Sequence, residues 1–140
     1  MVEFRKRYRG TPRSVREARR AVTDFAVMCG FSPRLTVDLT LAAGEALANA
    51  VEHGNKELGY ILLTCSFEEG LLTIEVRDQG HGFDHTAASK RRREATNVRG
   101  FGITIMRALM DVVEYRDRGT TVRLTKRLVE EPGSAGCQEG

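Results

Sequence analysis

Glu45-Ala46-Leu47-Ala48-Asn49-Ala50-Val51-Glu52-His53-Gly54 ends a Leu- and Ala-rich stretch of the chain. Ser32-Pro33 opens that stretch, with serine suited to cap a helix and proline to its first position. Gly54 stops it. The pattern predicts a well-buried helix running to about His53. Glu45 and Asn49 are four apart, so both project from one helical face. Ala46 and Ala50 beside them leave space. This face has two readings. It is a solvated helix surface, or it sets a carboxylate next to a carboxamide in a roomy site suited to phosphate chemistry. In the second reading Asn49 offers a neutral carbonyl oxygen to Mg²⁺, which keeps several waters and takes its other ligands from phosphates. Glu45 can accept a proton from an attacking hydroxyl or water. His53 reads as a helix C-terminal residue favoured by the dipole, with no catalytic role.

Upstream, residues 2–8 alternate apolar and charged side chains and predict an edge strand. Two helix starts follow: Thr11-Pro12, or Ser14 paired with Glu17 as a capping box. Val15, Ala18, Val22, Phe25 and Ala26 then give the stripe of an amphipathic helix, ended by Gly30. Downstream, Gly59–Phe67 and Leu71–Arg77 read as strands of a hairpin turning at Glu68-Glu69-Gly70. Residues 79–99 have no periodicity and read as one long loop, a kind that is usually functional in a compact domain. A helix from about Ile103 to Asp111, a strand near Val112–Tyr115, a turn at Asp117-Arg118-Gly119 and a strand from Thr120 to about Leu128 complete the unit. The polar tail, 129–140, is expected to be disordered. This order predicts one domain, residues 1–128, folded as an α/β two-layer sandwich. Its mostly antiparallel mixed sheet is covered on one face by helices.

Three further motifs carry chemistry. Asp78-Gln79-Gly80-His81-Gly82 directly follows a strand. It is a plain Asx-Gly turn, or a strand-end carboxylate that accepts a hydrogen bond from an exocyclic amine, as on adenine, while Gly80 and Gly82 let the backbone approach a ligand. Gly100-Phe101-Gly102 stands just before a helix. It is a hinge, or an anion site where glycines let phosphate reach the helix N–H groups. Thr120 shares parity with Val122 and Leu124, which points its hydroxyl inward, towards a base or towards the backbone. Lys90-Arg91-Arg92-Arg93 reads as a solvated run in a loop that can order over phosphates.

Composition excludes several classes. The 140 residues suit one core, and 41% hydrophobic with 29% charged is an ordinary globular mix. No run of about 18 apolar residues spans a membrane, and the N-terminus lacks a signal-peptide core, so a cytoplasmic location is expected. Cys29, Cys65 and Cys137 are far apart and form no metal or disulfide pattern. Cys29 and Cys65 read as core residues, and Cys137 as exposed. A net charge of +3 is mild and does not call for nucleic acid.

Together these motifs, in this order, resemble the GHKL (Bergerat-fold) ATPases over about residues 4 to 128. Gly102-Ile103-Thr104-Ile105-Met106 with Met110-Asp111, and Gly119-Thr120-Thr121-Val122-Arg123-Leu124-Thr125-Lys126, are most similar to the anti-sigma-factor serine/threonine kinases of bacterial stress and sporulation control. The resemblance implies ATP and Mg²⁺ as cofactors. It implies Glu45 as catalytic base, Asn49 as metal ligand and Asp78 as adenine reader, with Gly80, Gly82, Gly100, Gly102 and Thr120 around the nucleotide. It also implies a homodimer that binds a sigma factor and phosphorylates a Ser or Thr of an anti-anti-sigma partner. The alternative is a nucleotide-gated module that sequesters a partner without phosphotransfer.

Overall fold

A computed structural model describes residues 1–53, 59–79 and 102–129. The order is β1 (Val2–Arg9), α1 (Pro12–Met28), α2 (Pro33–His53), β2 (Tyr60–Glu68), β3 (Leu71–Asp78), α3 (Gly102–Leu109), β4 (Val112–Arg116), a 3-10 turn at Asp117–Gly119, and β5 (Thr121–Arg127). The strands form one sheet in the order β1-β2-β3-β5-β4. Every pair among the described residues is antiparallel.

Side-chain alternation decides which face is buried. Ile61, Leu63 and Cys65 of β2 line up with Leu72, Ile74 and Val76 of β3 and with Val122 and Leu124 of β5. All eight are buried, against Leu39, Ala43 and Leu47 of α2 and Met106 of α3. Burial pushes the Cys65 thiol up to about 12, with nearby Cys29 adding to the shift. Both cysteines are free, Cys65 within the core and Cys29 at its margin. Among the described residues, the opposite sheet face carries no helix.

The first helix starts at the earlier of its two signals. Thr11 is the cap: its backbone is extended and its hydroxyl accepts from the Ser14 N–H at 3.2 Å. Pro12 takes the first helical position. The Ser14/Glu17 capping box does not form, because Ser14 already lies in the first turn and is buried, while Glu17 is exposed beside Arg13. The helix ends in a Schellman motif. Gly30, at φ 95°, donates to Val27 O, and Phe31 N–H reaches Ala26 O. Ser32 then caps α2, accepting from Leu35 N–H at 3.2 Å.

Gly44 sits in the middle of α2, where glycine costs about 1 kcal/mol relative to alanine. Its bare backbone makes room for Arg19 of α1, whose Nε would stand 3.0 Å from an added Cβ. One turn along, the Thr23 and Thr40 hydroxyls meet at 2.7 Å across the same helix pair. The β2–β3 hairpin turns at Glu69 and Gly70, both at positive φ (51° and 78°), as a two-residue primed turn demands. The expected loop at 79–99 and tail at 129–140 fall almost wholly outside the described residues, as do Gly54, Lys90–Arg93 and Cys137.

The cap assignment is testable. Thr11→Ala lowers unfolding free energy by about 1 kcal/mol, whereas Glu17→Ala changes it by less than about 0.5 kcal/mol. Urea unfolding of both variants measures this, and the reverse order returns the cap to Ser14.

Candidate functional site

Helix α2 supplies one wall of the site because its stripe changes character near its C-terminus. Leu39, Ala43 and Leu47 are fully buried in the core. Ala46 and Ala50 are buried too, but as methyl groups they leave a cleft between the helix and the ends of β3 and β5. The cleft opens to solvent, and its enclosed room is small, about 10 Å³. Val76 and Val122 floor it, and Asn49, Asp78 and Thr120 supply its polar groups.

Asp78 is the last residue of β3 and shares the helix-facing parity of Ile74 and Val76. It is only 8% exposed and Asn49 only 7%, unusual burial for such groups. The Asp78 N–H donates to Thr120 O at 2.9 Å, which locks the Gly119-Thr120 segment beside the end of β3.

Thr120 lines the cleft, though not for the reason its parity gives. Strand β5 begins at Thr121, and Thr120 has a helical backbone as the cap of the 3-10 turn. Its hydroxyl donates to Asp117 O at 2.8 Å, leaving its oxygen lone pairs for a ligand. Thr121, on the opposite parity, is the more buried residue, and its hydroxyl donates to the Asp117 carboxylate at 3.1 Å.

Glu45 lies one turn before Asn49, at the edge of this cleft, where α3 begins. A Cβ added to Gly102 would stand 2.8 Å from Glu45 Oε2 and 3.9 Å from Asn49 Nδ2. No side chain other than hydrogen fits at Gly102 without displacing the carboxylate. The start of α3 therefore lies against Glu45 and Asn49. Glu45, Asn49, Asp78, Gly102 and Thr120 thus border one continuous region. Gly80, Gly82 and Gly100 lie outside the described residues.

Gly119, already quoted in the Gly119-Thr120 motif, and Tyr115, which was not singled out from sequence, also line the cleft. The signal for Tyr115 was present: it shares the inward parity of Val113 on β4 and stands opposite Val122. Gly119, at φ 88°, follows Asp117 and Arg118 at 53° and 60°. Three consecutive left-handed residues fold the chain into the wall of the cleft.

A half-open α/β sandwich with a buried carboxylate at a strand end and a helix N-terminus across the cleft defines a nucleotide-binding domain. The chain belongs to the histidine kinase-like ATPase domain family, whose model matches residues 8–126, and it binds ATP. It is similar to the serine-protein kinase RsbW of Listeria innocua serovar 6a, at 30% identity over 131 residues, covering 86% of this chain and 83% of that protein. It is equally similar, at 30% over 117 residues, to the anti-sigma F factor of Thermoanaerobacter sp. strain X514, covering 78% of this chain and 82% of that one. Among solved structures, the RsbU and RsbW domains of Rv1364c from Mycobacterium tuberculosis share the fold, with a TM-score of 0.70 at 20% identity. That match covers 94% of this chain and only 34% of the other.

Replacing Asp78 by asparagine exchanges a buried carboxylate, the acceptor expected for the adenine amine, for an amide. Asp78→Asn is expected to weaken ATP by about 10- to 100-fold, the worth of one hydrogen bond to a charged group. Calorimetry with ATP and GTP measures it; ATP affinity equal to wild type removes Asp78 from base recognition.

Proposed function

We propose that this chain is an ATP-dependent serine/threonine protein kinase that also acts as an anti-sigma factor. It binds a sigma factor and phosphorylates a Ser or Thr of an anti-anti-sigma partner. The observation that carries the chemical part is the placement of Glu45 against Gly102, at the N-terminus of α3 and one turn from the buried Asn49. The named relatives, a serine-protein kinase and an anti-sigma factor, support the biological part. Residues 1–128 form the catalytic unit. It works in the cytoplasm as a homodimer; in the described residues no helix is long and apolar enough to cross a membrane.

Each residue has one task in this reading. Asp78 accepts from the adenine amine, and Thr120 supplies an acceptor beside it. Ala46, Ala50, Val76 and Val122 exclude water from the base. The first turn of α3, with Gly102 at its start, receives the phosphates through backbone N–H groups. Asn49 fits Mg²⁺ through its carboxamide oxygen, a single neutral ligand suited to a cation that takes the rest of its shell from phosphates and water. When bound, Mg²⁺ neutralises phosphate charge. Gly80, Gly82 and Gly100 complete the phosphate loops.

Phosphoryl transfer depends mainly on positioning and charge neutralisation, with one residue to orient the nucleophile or take its proton. Glu45 is that residue. The partner's hydroxyl oxygen bonds to the terminal phosphorus as the bond from phosphorus to the bridging oxygen breaks. The hydroxyl proton passes to the Glu45 carboxylate, and ADP leaves with the bridging oxygen.

Glu45→Ala is expected to keep ATP affinity within a few-fold and to lower transfer by about 10²- to 10⁴-fold. Gly102→Ala displaces the same carboxylate and is expected to fold normally while losing most of the same step. The measurement is transfer from labelled ATP to the partner. Wild-type transfer by Glu45→Ala removes Glu45 from the chemical step, whereas no transfer by the wild-type chain favours nucleotide-gated sequestration.

Asn49→Ala is expected to weaken Mg-ATP far more than metal-free ATP. Titrations with and without Mg²⁺ separate the two, and equal losses exclude a ligand role.

A further inference from the structure

The helix-free face of the sheet is not neutral. At the end nearest the nucleotide cleft, Arg7 of β1, Leu62 of β2 and Arg77 of β3 form one row across three strands. Arg9 pairs with Tyr60 in the next row. Arg7, Arg9, Tyr60 and Arg77 are all exposed. Arg7, Tyr60 and Arg77 border an open groove of about 440 Å³ floored by Leu62 and ended by Gln79, with Arg9 one row further along.

The three guanidiniums have no carboxylate partner among the described residues. Two carboxylates of this face are engaged nearer the far edge, Glu75 facing Arg123 at 4.0 Å and Glu114 meeting Arg116 at 3.0 Å, and Glu3 and Glu68 lie at the other end of β1 and β2. Asp78 borders the groove as well, but it is buried and belongs to the helix-facing parity.

Charge on an edge strand has an ordinary explanation: it discourages edge-to-edge pairing. That covers Arg7 and Arg9 on β1. It does not cover Arg77, which lies on the central strand of the sheet. Cations gathered on both sides of an apolar floor form a receptor for anions spaced along an extended chain.

We propose that this groove is a docking site for a carboxylate-rich segment of a protein partner. A peptide suits it better than a nucleic acid. The groove's aromatic ring, Tyr60, already has the Arg7 guanidinium over it at 5.5 Å, so it offers less face for base stacking. A second copy related by a twofold axis through the patch sets arginine against arginine. The groove shares Asp78 and Thr120 with the nucleotide cleft on the other side of the sheet, so partner and nucleotide touch the same strand end. The proposal rests on the reading above only in taking the partner to be a protein.

The test uses the full chain and a fluorescein-labelled oligo-glutamate peptide, with binding followed by anisotropy. Arg7→Glu/Arg77→Glu is expected to weaken the peptide by about tenfold or more while leaving ATP affinity and oligomeric state unchanged. Arg13→Glu/Arg16→Glu on α1 makes the same change in net charge and is expected to alter peptide binding by less than about twofold. Equal losses in the two variants reduce the effect to non-specific attraction and overturn the proposal. So does tighter binding of oligothymidine at the same arginines, or a dimer that dissociates only in Arg7→Glu/Arg77→Glu. Glu45→Ala is expected to bind the peptide like wild type, so a failed transfer chemistry and a failed docking site are told apart.

Discussion

The structure depends on how closely α2 lies on the sheet. Its core stripe, Leu39, Ala43 and Leu47, is fully buried, and the same helix must present Glu45 and Asn49 within reach of β3, β5 and α3. Alanine at 46 and 50 satisfies both demands. Methyl groups contribute little burial area, so the helix is held by its leucines further along and by α1, whose Arg19 crosses over Gly44. Larger residues at 46 or 50 fill the cleft; more polar ones lose its dry wall.

Burying Asp78 and Asn49 in this wall is costly in a domain of this size, since a carboxylate removed from water needs hydrogen-bonding compensation. A domain selected for stability alone has little reason to hold them there. The same holds for the turn from Asp117 to Gly119, in which two non-glycine residues adopt positive φ. The turn is held by local bonds, from the Thr120 hydroxyl and N–H to the Asp117 carbonyl and from Thr121 to the Asp117 carboxylate. Its product is the placement of Gly119 and Thr120 beside Asp78. Strain and buried polarity therefore meet at one end of the sheet, the end that opens into the cleft.

Much of this was legible in the sequence, because periodicity reports burial directly. The parity of Ile61, Leu63 and Cys65 against Leu72, Ile74 and Val76 fixed the inward face of β2 and β3, and the four-residue step from Glu45 to Asn49 fixed their shared edge. Local chemistry was harder. Thr11 and Ser14 both carry hydroxyls able to cap a helix, and only the packing of α1, which buries Ser14 at the first turn, decides between them. Thr120 was placed on β5 by extrapolating a period of two back through a turn that breaks it. Three consecutive positive φ values reset the register, and no pattern of polarity announces them. Tyr115 was missed because its short strand gives too few residues for alternation to stand out.

The same period of two explains why binding sites on a strand are hard to separate by sequence. Arg77 and Asp78 are neighbours in the chain, yet their side chains leave β3 on opposite faces. One belongs to an exposed cationic groove and the other to a buried nucleotide cleft. Read along the chain they form an unremarkable Arg-Asp pair, the kind usually taken for a solvated ion pair. Read across the sheet, each joins a different set: Arg7 and Leu62 for one, Asn49 and Thr120 for the other. Because both sets hang on the last turn of one backbone, whatever shifts the end of β3 to fit a nucleotide also moves Arg77.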